Sequence, residues 1–409
     1  MKYLKTILLF IVFAFIVSPT AFCIDALLLT SPDLNVTDKW VKTESGSAPN
    51  FSTVASVVKK QYFSALLLFS DYKLDSNQNV KISYDIKIIS PDKTTYFEQK
   101  NIQAFNKTMK NGKLVLLSDA ILKICFENSD SLGSCIIETT THDKISETSI
   151  SKSQTIELVE FKSNDYFNND DEFQEWVNDY HNRPSPEKAL SAYLYYSHSK
   201  LNEAKNGFIP IFSFFLSVFN NNQFLIPILT DSYPKQDLKT KIYIIWLLRY
   251  LDYNSSAFFQ SLKGEEKQIL EKIKNNTIPL QKDKVVSGEH LDVQWSTFLA
   301  TGQFEPIKKI IDTLEYGKYS GAIDAYKNSE KTELDREKAI LDSTFQAARW
   351  SISSNIQQYE LVKKYCIYSF INDEYPDEVK MWLGVILSKQ VPDRFKMAKG
   401  EDGEWIIKY

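Results

Sequence analysis

The chain has 409 residues, 43% of them hydrophobic and 13% aromatic, a composition that excludes an intrinsically disordered polymer and allows two or three separate cores. Its net charge of −4 offers no global basic field for nucleic acid. Glycine, at 12 residues, is too scarce to favour folds built on glycine-rich phosphate loops.

Residues 1–23 carry the pattern of a secretory signal peptide. Lys2 and Lys5 precede an apolar run from Ile7 to Val17, and Ser18–Cys23 breaks it with small residues suited to cleavage after Cys23. The run is short for a membrane helix, which needs about 20 apolar residues, so an uncleaved anchor is the lesser alternative. Export to the periplasm or beyond is therefore expected, with no membrane span left after cleavage.

Residues 24–162 read as a β domain. Val80–Ile89 alternates apolar and polar side chains as a half-buried strand does, and Ser90–Lys93 is a turn signal before Thr94–Glu98. Tyr62–Phe69, Leu122–Glu127, Cys135–Thr141 and Thr155–Phe161 supply further strands, which suggests a sandwich. Cys125 and Cys135 flank the turn-like stretch Asn128–Gly133. In an oxidising compartment they could form a disulfide; the alternative is two thiols packed as small hydrophobes.

The stretch Asp130-Ser-Leu-Gly133-Ser-Cys135 resembles the Asp-x-x-Gly-x-Tyr turn of bacterial immunoglobulin-like and macroglobulin-like domains. Asp143 matches the polar end of the following strand, and Ile156–Phe161 the last strand. Cys135 stands where that motif has tyrosine, so a tyrosine-corner hydrogen bond is unavailable. The resemblance implies a fold used as spacer, adhesion module or interaction platform. As a whole the chain resembles uncharacterised exported bacterial proteins that join such a domain to an all-helical one, and no site residue carries over from them.

Residues 163–185 form a polar linker, in which Asp170 or Asp171 is expected to cap the first helix. Residues 186–390 read as an all-α domain. Ser185-Pro186 is a helix-start signal, Phe208–Phe219 and Ile242–Leu251 are apolar on nearly every face, and residues 261–289 fit a loose helix and linker. Gly302 and Pro306 mark a tight turn between two helices, the second lined by Ile307, Ile310, Ile311 and Leu314. Helices over Glu337–Ser353, Gln357–Phe370 and Pro376–Leu387 follow, and serial helix pairs suggest a solenoid-like array or an irregular bundle. Residues 391–409 are expected to be a docked tail.

No catalytic motif emerges. The four histidines at 142, 181, 198 and 290 are scattered, and zinc-site spacings, serine-nucleophile elbows and phosphate loops are missing. Glu289–Asp292 reads as the acidic first turn of a helix, and Cys366 as a buried helical thiol. No cofactor or metal is expected. The expected role is a non-enzymatic protein-interaction or scaffold module of the envelope or extracellular space, with a protein partner. The alternative is an exported, glycan-directed hydrolase with an acid pair in the helical domain, where Tyr193, Tyr195, Tyr196, Trp246 and Trp350 could stack sugars. A pocket holding two carboxylates beside aromatics would favour the second.

Overall fold

In the computed structural model the described residues are 23–43, 51–109, 115–163, 166–203, 207–274, 284–328, 332–372, 375–399 and 405–409. The expected signal segment, residues 1–22, lies outside them.

The N-terminal half is built of β1 (Asp25–Ser31), a short helix α1 (Val36–Val41), β2 (Ser56–Val58), β3 (Tyr62–Ser70), β4 (Asn79–Ile89), β5 (Thr95–Thr108), β6 (Leu116–Leu117), β7 (Leu122–Cys125), β8 (Gly133–Asp143) and β9 (Thr148–Val159). One sheet centres on β3, with β1 antiparallel on one edge and β6 and β7 on the other. The second runs β2-β9-β8-β4-β5, antiparallel except that β2 pairs parallel to β9. Their inner faces share one core, with Phe63, Ala65, Leu67 and Phe69 of β3 meeting Ile82, Tyr84, Ile86 and Ile137.

The unbroken apolar run of β3 has a physical reason. Alternate residues face opposite sides of a sheet, so a strand covered on only one face alternates in polarity. Here Leu66 and Leu68 point away from the shared core and are covered, with Leu117, by Val36 of α1. Gly133, at φ +129, opens β8 beside Pro91, where a Cβ would stand 3.2 Å from the proline ring. Asp143 closes the same strand: its carboxylate accepts from the amides of Lys73 and Ile145, both at 2.9 Å.

The helical half begins with the helix expected near residue 170. Within the polar stretch 163–185, α2 spans Asp170–Asp179 and buries Phe173, Trp176 and Val177. Its cap is Asn169, whose side chain accepts from the Glu172 amide, rather than Asp170 or Asp171, which occupy the first turn. A 3-10 turn at Pro186–Lys188 leads into α3 (Ala189–His198), followed by α4 (Phe208–Asn221), α5 (Leu225–Ser232), α6 (Leu238–Tyr250), α7 (Ser256–Ser261) and α8 (Gly264–Lys274). These share a core dense in aromatics, and Val58 of β2 packs into it.

A second helical core joins α9 (Gly288–Thr301), α10 (Phe304–Asp312), α12 (Glu333–Gln358), α13 (Glu360–Asn372) and α14 (Asp377–Gln390), with the short α11 (Ala322–Lys327) lying against α12 outside it. Gly302 takes the left-handed conformation after α9, at φ +63, and Ile307, Ile310, Ile311 and Leu314 are fully buried. The last residues form an antiparallel hairpin of β10 (Lys396–Lys399) and β11 (Trp405–Lys408), docked on α14 with Ile407 against Gly384. Two β sheets followed by many helices make this a mixed β plus α chain.

Among the described residues no single helix is long and apolar enough to cross a membrane. The apolar stretch Phe208–Asn221 is followed by Leu225–Lys235 at a bend of 119°, and Phe212, Phe214, Phe215 and Phe219 of the first piece are buried in the aromatic core.

Candidate functional site

A groove of about 1030 Å³ runs along α2, bounded by residues 51–53, Tyr166 and Phe167, and the segment from Asn182 to Lys188. Its long wall comes from the periodicity of one helix. Glu172, Glu175, Trp176 and Asp179 recur at three- and four-residue spacing and so share a face, and Arg183 continues the line. The opposite face of α2 carries Phe173 and Val177 into the first helical core.

Aromatic rings make the floor. The Trp176 indole packs edge-on to Phe167 at 5.6 Å and donates to Ser185 Oγ at 2.8 Å. Ser185, expected to cap the following helix, instead orients this ring; its side chain makes no cap hydrogen bond. Phe51 stacks on Trp40 at 6.0 Å, and Ser52 Oγ donates to the Asn182 carbonyl, tying the β half to the far side of the groove.

Four carboxylates line the walls against two cations. Arg183 is paired with Asp179, and the Lys188 ammonium lies 5.7 Å from the Tyr166 ring centre. The two glutamates at opposite ends of the segment differ in environment. Glu172 accepts from the Asn168 amide at 3.0 Å and its carboxamide at 3.1 Å, which holds its pKa below the ordinary glutamate value. Glu187 stays in reach of solvent, yet the concave wall around it strips water from the carboxyl group and pushes its pKa up; Lys188 offsets part of that rise.

The aromatics singled out in the sequence are elsewhere. Tyr193 and Tyr196 are buried in the first helical core, Tyr195 donates to Asp170 at 2.7 Å, and Trp246 packs against Phe208 and Tyr250. Trp350 is 73% exposed on α12. Glu289 and Asp292 do lie at the start of α9, with Ser287 as its cap. Cys366 is buried, and burial pushes its thiol up to about 12.

Cys125 and Cys135 are both free thiols. Ile124 and Phe126 point into the core shared by the two sheets, so alternation turns Cys125 outward, whereas Cys135 faces inward. The histidines occupy separate surroundings: His142 contacts Ser149 and Asp85, His198 contacts Asp237 and Thr240, His290 accepts from the Val286 amide, and His181 lies in the joint between the halves. Among the described residues no group of three or more metal-ligating side chains converges.

Sequence reasoning did not single out Glu172, Trp176 or Glu187. The signal available was the stripe Glu172-x-x-Glu175-Trp176-x-x-Asp179, apolar on its reverse.

No family model matches the chain, and no curated protein matches it. Among solved structures, a family 123 glycoside hydrolase from Clostridium perfringens, described for glycolipid glycan hydrolysis, is similar at 9% identity with a TM-score of 0.22. The match covers 44% of this chain and 36% of that one, so the chain spans little more than a third of its neighbour's length.

Proposed function

We propose that this chain is an exported, non-enzymatic binding protein, an interaction module of the cell envelope or extracellular space, and that the groove along α2 receives a basic segment of its partner. The observation that supports this is the groove itself: the half-buried rings of Phe51, Tyr166 and Phe167, over the buried Trp176, beneath a rim with more carboxylates than cations. Such a surface attracts lysine and arginine side chains by charge and offers ring faces to their cationic heads. In this reading the β half is an immunoglobulin-like spacer and the helical half a solenoid-like scaffold.

Calorimetric titration of the full chain with a lysine-rich peptide and with an acidic peptide of equal length tests it. Binding of the basic peptide alone is expected, weakened by salt, and reduced about tenfold or more in a Glu172→Gln, Glu175→Gln, Asp179→Asn variant. Equal binding of both peptides, or of neither, overturns the reading.

A second reading rests on the split between Glu187, pushed up, and Glu172, held down. One carboxyl raised and one lowered in pKa, in one groove beside aromatics, is the pattern from which a glycoside hydrolase draws its acid and its second carboxylate. Release of reducing ends from envelope polysaccharides, abolished by Glu187→Gln, would favour it over the binding role.

A further inference from the structure

One short helix makes the buried polar contacts of the joint between the β half and the two helical cores, beside the packing of Val58 and the Ser52 hydrogen bond. From α1, Asp38 accepts from the Phe304 amide at 3.0 Å at the start of α10, and Lys42 donates to the Tyr368 hydroxyl at 3.1 Å. Lys39, only 3% exposed, pairs with Asp33 at 2.6 Å and donates to the carbonyl of His181 at 2.8 Å, just past the end of α2. His181 is itself 1% exposed; neither ring nitrogen meets full hydrogen-bond geometry, and the nearest backbone group, at Asn178, raises its pKa only in part. Its ring lies 5.0 Å from Phe298 of α9 and 5.1 Å from Tyr359, between α12 and α13.

We infer that His181 is a pH-sensitive latch: neutral, it allows α1 to dock; protonated, it places a second buried cation beside Lys39 and releases the β half from the helical half. The charged and titratable groups around it are Lys39 and Asp33 on the α1 side, Asp179 at the end of α2, and Tyr359 opposite; Phe298 and Gly302 of the α9 end bring no charge. Lys39 is already satisfied by Asp33, so no carboxylate is left over inside the joint to accept an imidazolium proton. Burial pushes the imidazole down to about 4, with Lys39 acting in the same direction and Asp179 and the Asn178 backbone against it. Once released, the ring regains its ordinary value near 6.5. The released state therefore takes up the proton first, and docking weakens as pH falls from about 6.5 toward 4. The latch operates whatever the groove binds. Because Asn182 and Arg183, the residues directly after it, form the groove wall, release would also reshape that wall.

Hydrogen exchange of the full chain, corrected for intrinsic rates, reads the latch at α1 and at the start of α10. Exchange there is expected to rise on the order of tenfold to a hundredfold between pH 7 and pH 4.5, and to stay within about twofold in His181→Phe, which keeps the ring packing but takes no proton. An equal rise in the variant assigns the response to carboxylates and overturns the proposal, as does no rise in the natural chain. Should His181→Phe fail to fold at pH 7, histidine ring titration by NMR decides, with resonances assigned by removing His142, His198 and His290 in turn. A ring with a midpoint below pH 5 that titrates together with the α1 exchange supports the latch. A His181 ring titrating near 6.5 with α1 unchanged overturns it.

Discussion

The Asp38 carboxylate caps a helix that begins 266 residues later, accepting the Phe304 amide where Gln303, at the local cap position, makes no side-chain cap hydrogen bond. The first turn of any helix leaves unpaired amides, and here the β half of the molecule satisfies one of them. The joint is thus part of the secondary structure of α10.

Replacing Asp38 by alanine removes that cap. The expected loss is about 1 kcal/mol, the usual worth of a side-chain cap. Urea unfolding of the variant reads it, and Asp38→Asn, which keeps an acceptor oxygen, is expected to lose less.

Lys39→Met should cost more, about 3–5 kcal/mol, because it strands the buried Asp33 carboxylate without its cation. Adding Asp33→Asn to the same chain is expected to restore part of the loss. A double variant no more stable than Lys39→Met alone would show that the pair contributes through packing, not charge. Chemical denaturation of the three chains makes the comparison.

Gly302→Ala meets two obstacles. A left-handed backbone at φ +63 costs a residue with a Cβ about 1–3 kcal/mol. The new methyl would also stand 2.5 Å from Lys39 Cε, so the lysine must move off its partners. The thermal midpoint is expected to fall, and less so when Lys39→Met is already present.

Glu187 gives a pH-dependent expectation of opposite sign to the histidine latch. Its folded pKa is raised by the loss of water around the carboxyl group, so the folded chain holds the proton longer than the unfolded one does. Stability from this group is therefore present at low pH and lost as pH rises through the raised value. Glu187→Gln should raise the thermal midpoint at pH 7 and leave it unchanged near pH 4. Melting curves across that range check it.

Thiol accessibility separates the cysteines. Burial pushes Cys135 up to about 11 and Cys366 up to about 12, so both should resist a thiol reagent at pH 8 until the chain is unfolded. Burial raises the Cys125 thiol too, but it is half-buried and faces outward, so it should react in the folded chain, more slowly than in the unfolded one. A native oxidised chain that is two hydrogens lighter by mass, with Cys125 unreactive, would place the bridge that the sequence left open.

The β strands with strict alternation were legible from the residues alone: Val80–Ile89 lies within β4, and Cys135–Thr141 within β8. The turn at Gly302 and the face of Ile307, Ile310 and Ile311 were legible for the same reason, because a single local rule fixes each. α1 was not, since Val36-Thr-Asp-Lys-Trp-Val41 has six residues and weak periodicity, and its helix depends on the sheet beneath it. Nor was the groove. Its walls come from α2, a 3-10 turn and residues 51–53, brought together only by the docking of the two halves.

The reach of α1 sets an order of assembly. Asp38, Lys39 and Lys42 leave the ribosome long before Phe304, His181 and Tyr368, the last of which lies 326 positions beyond Lys42. Until those partners arrive, the outer side of α1 stays wet, and Lys39 and Asp33 keep their hydration. The strands of the N-terminal half can pair among themselves in that interval, whereas the joint cannot close. Docking is therefore the late, long-range step of folding, and a slow phase in refolding should track α1 rather than either sheet.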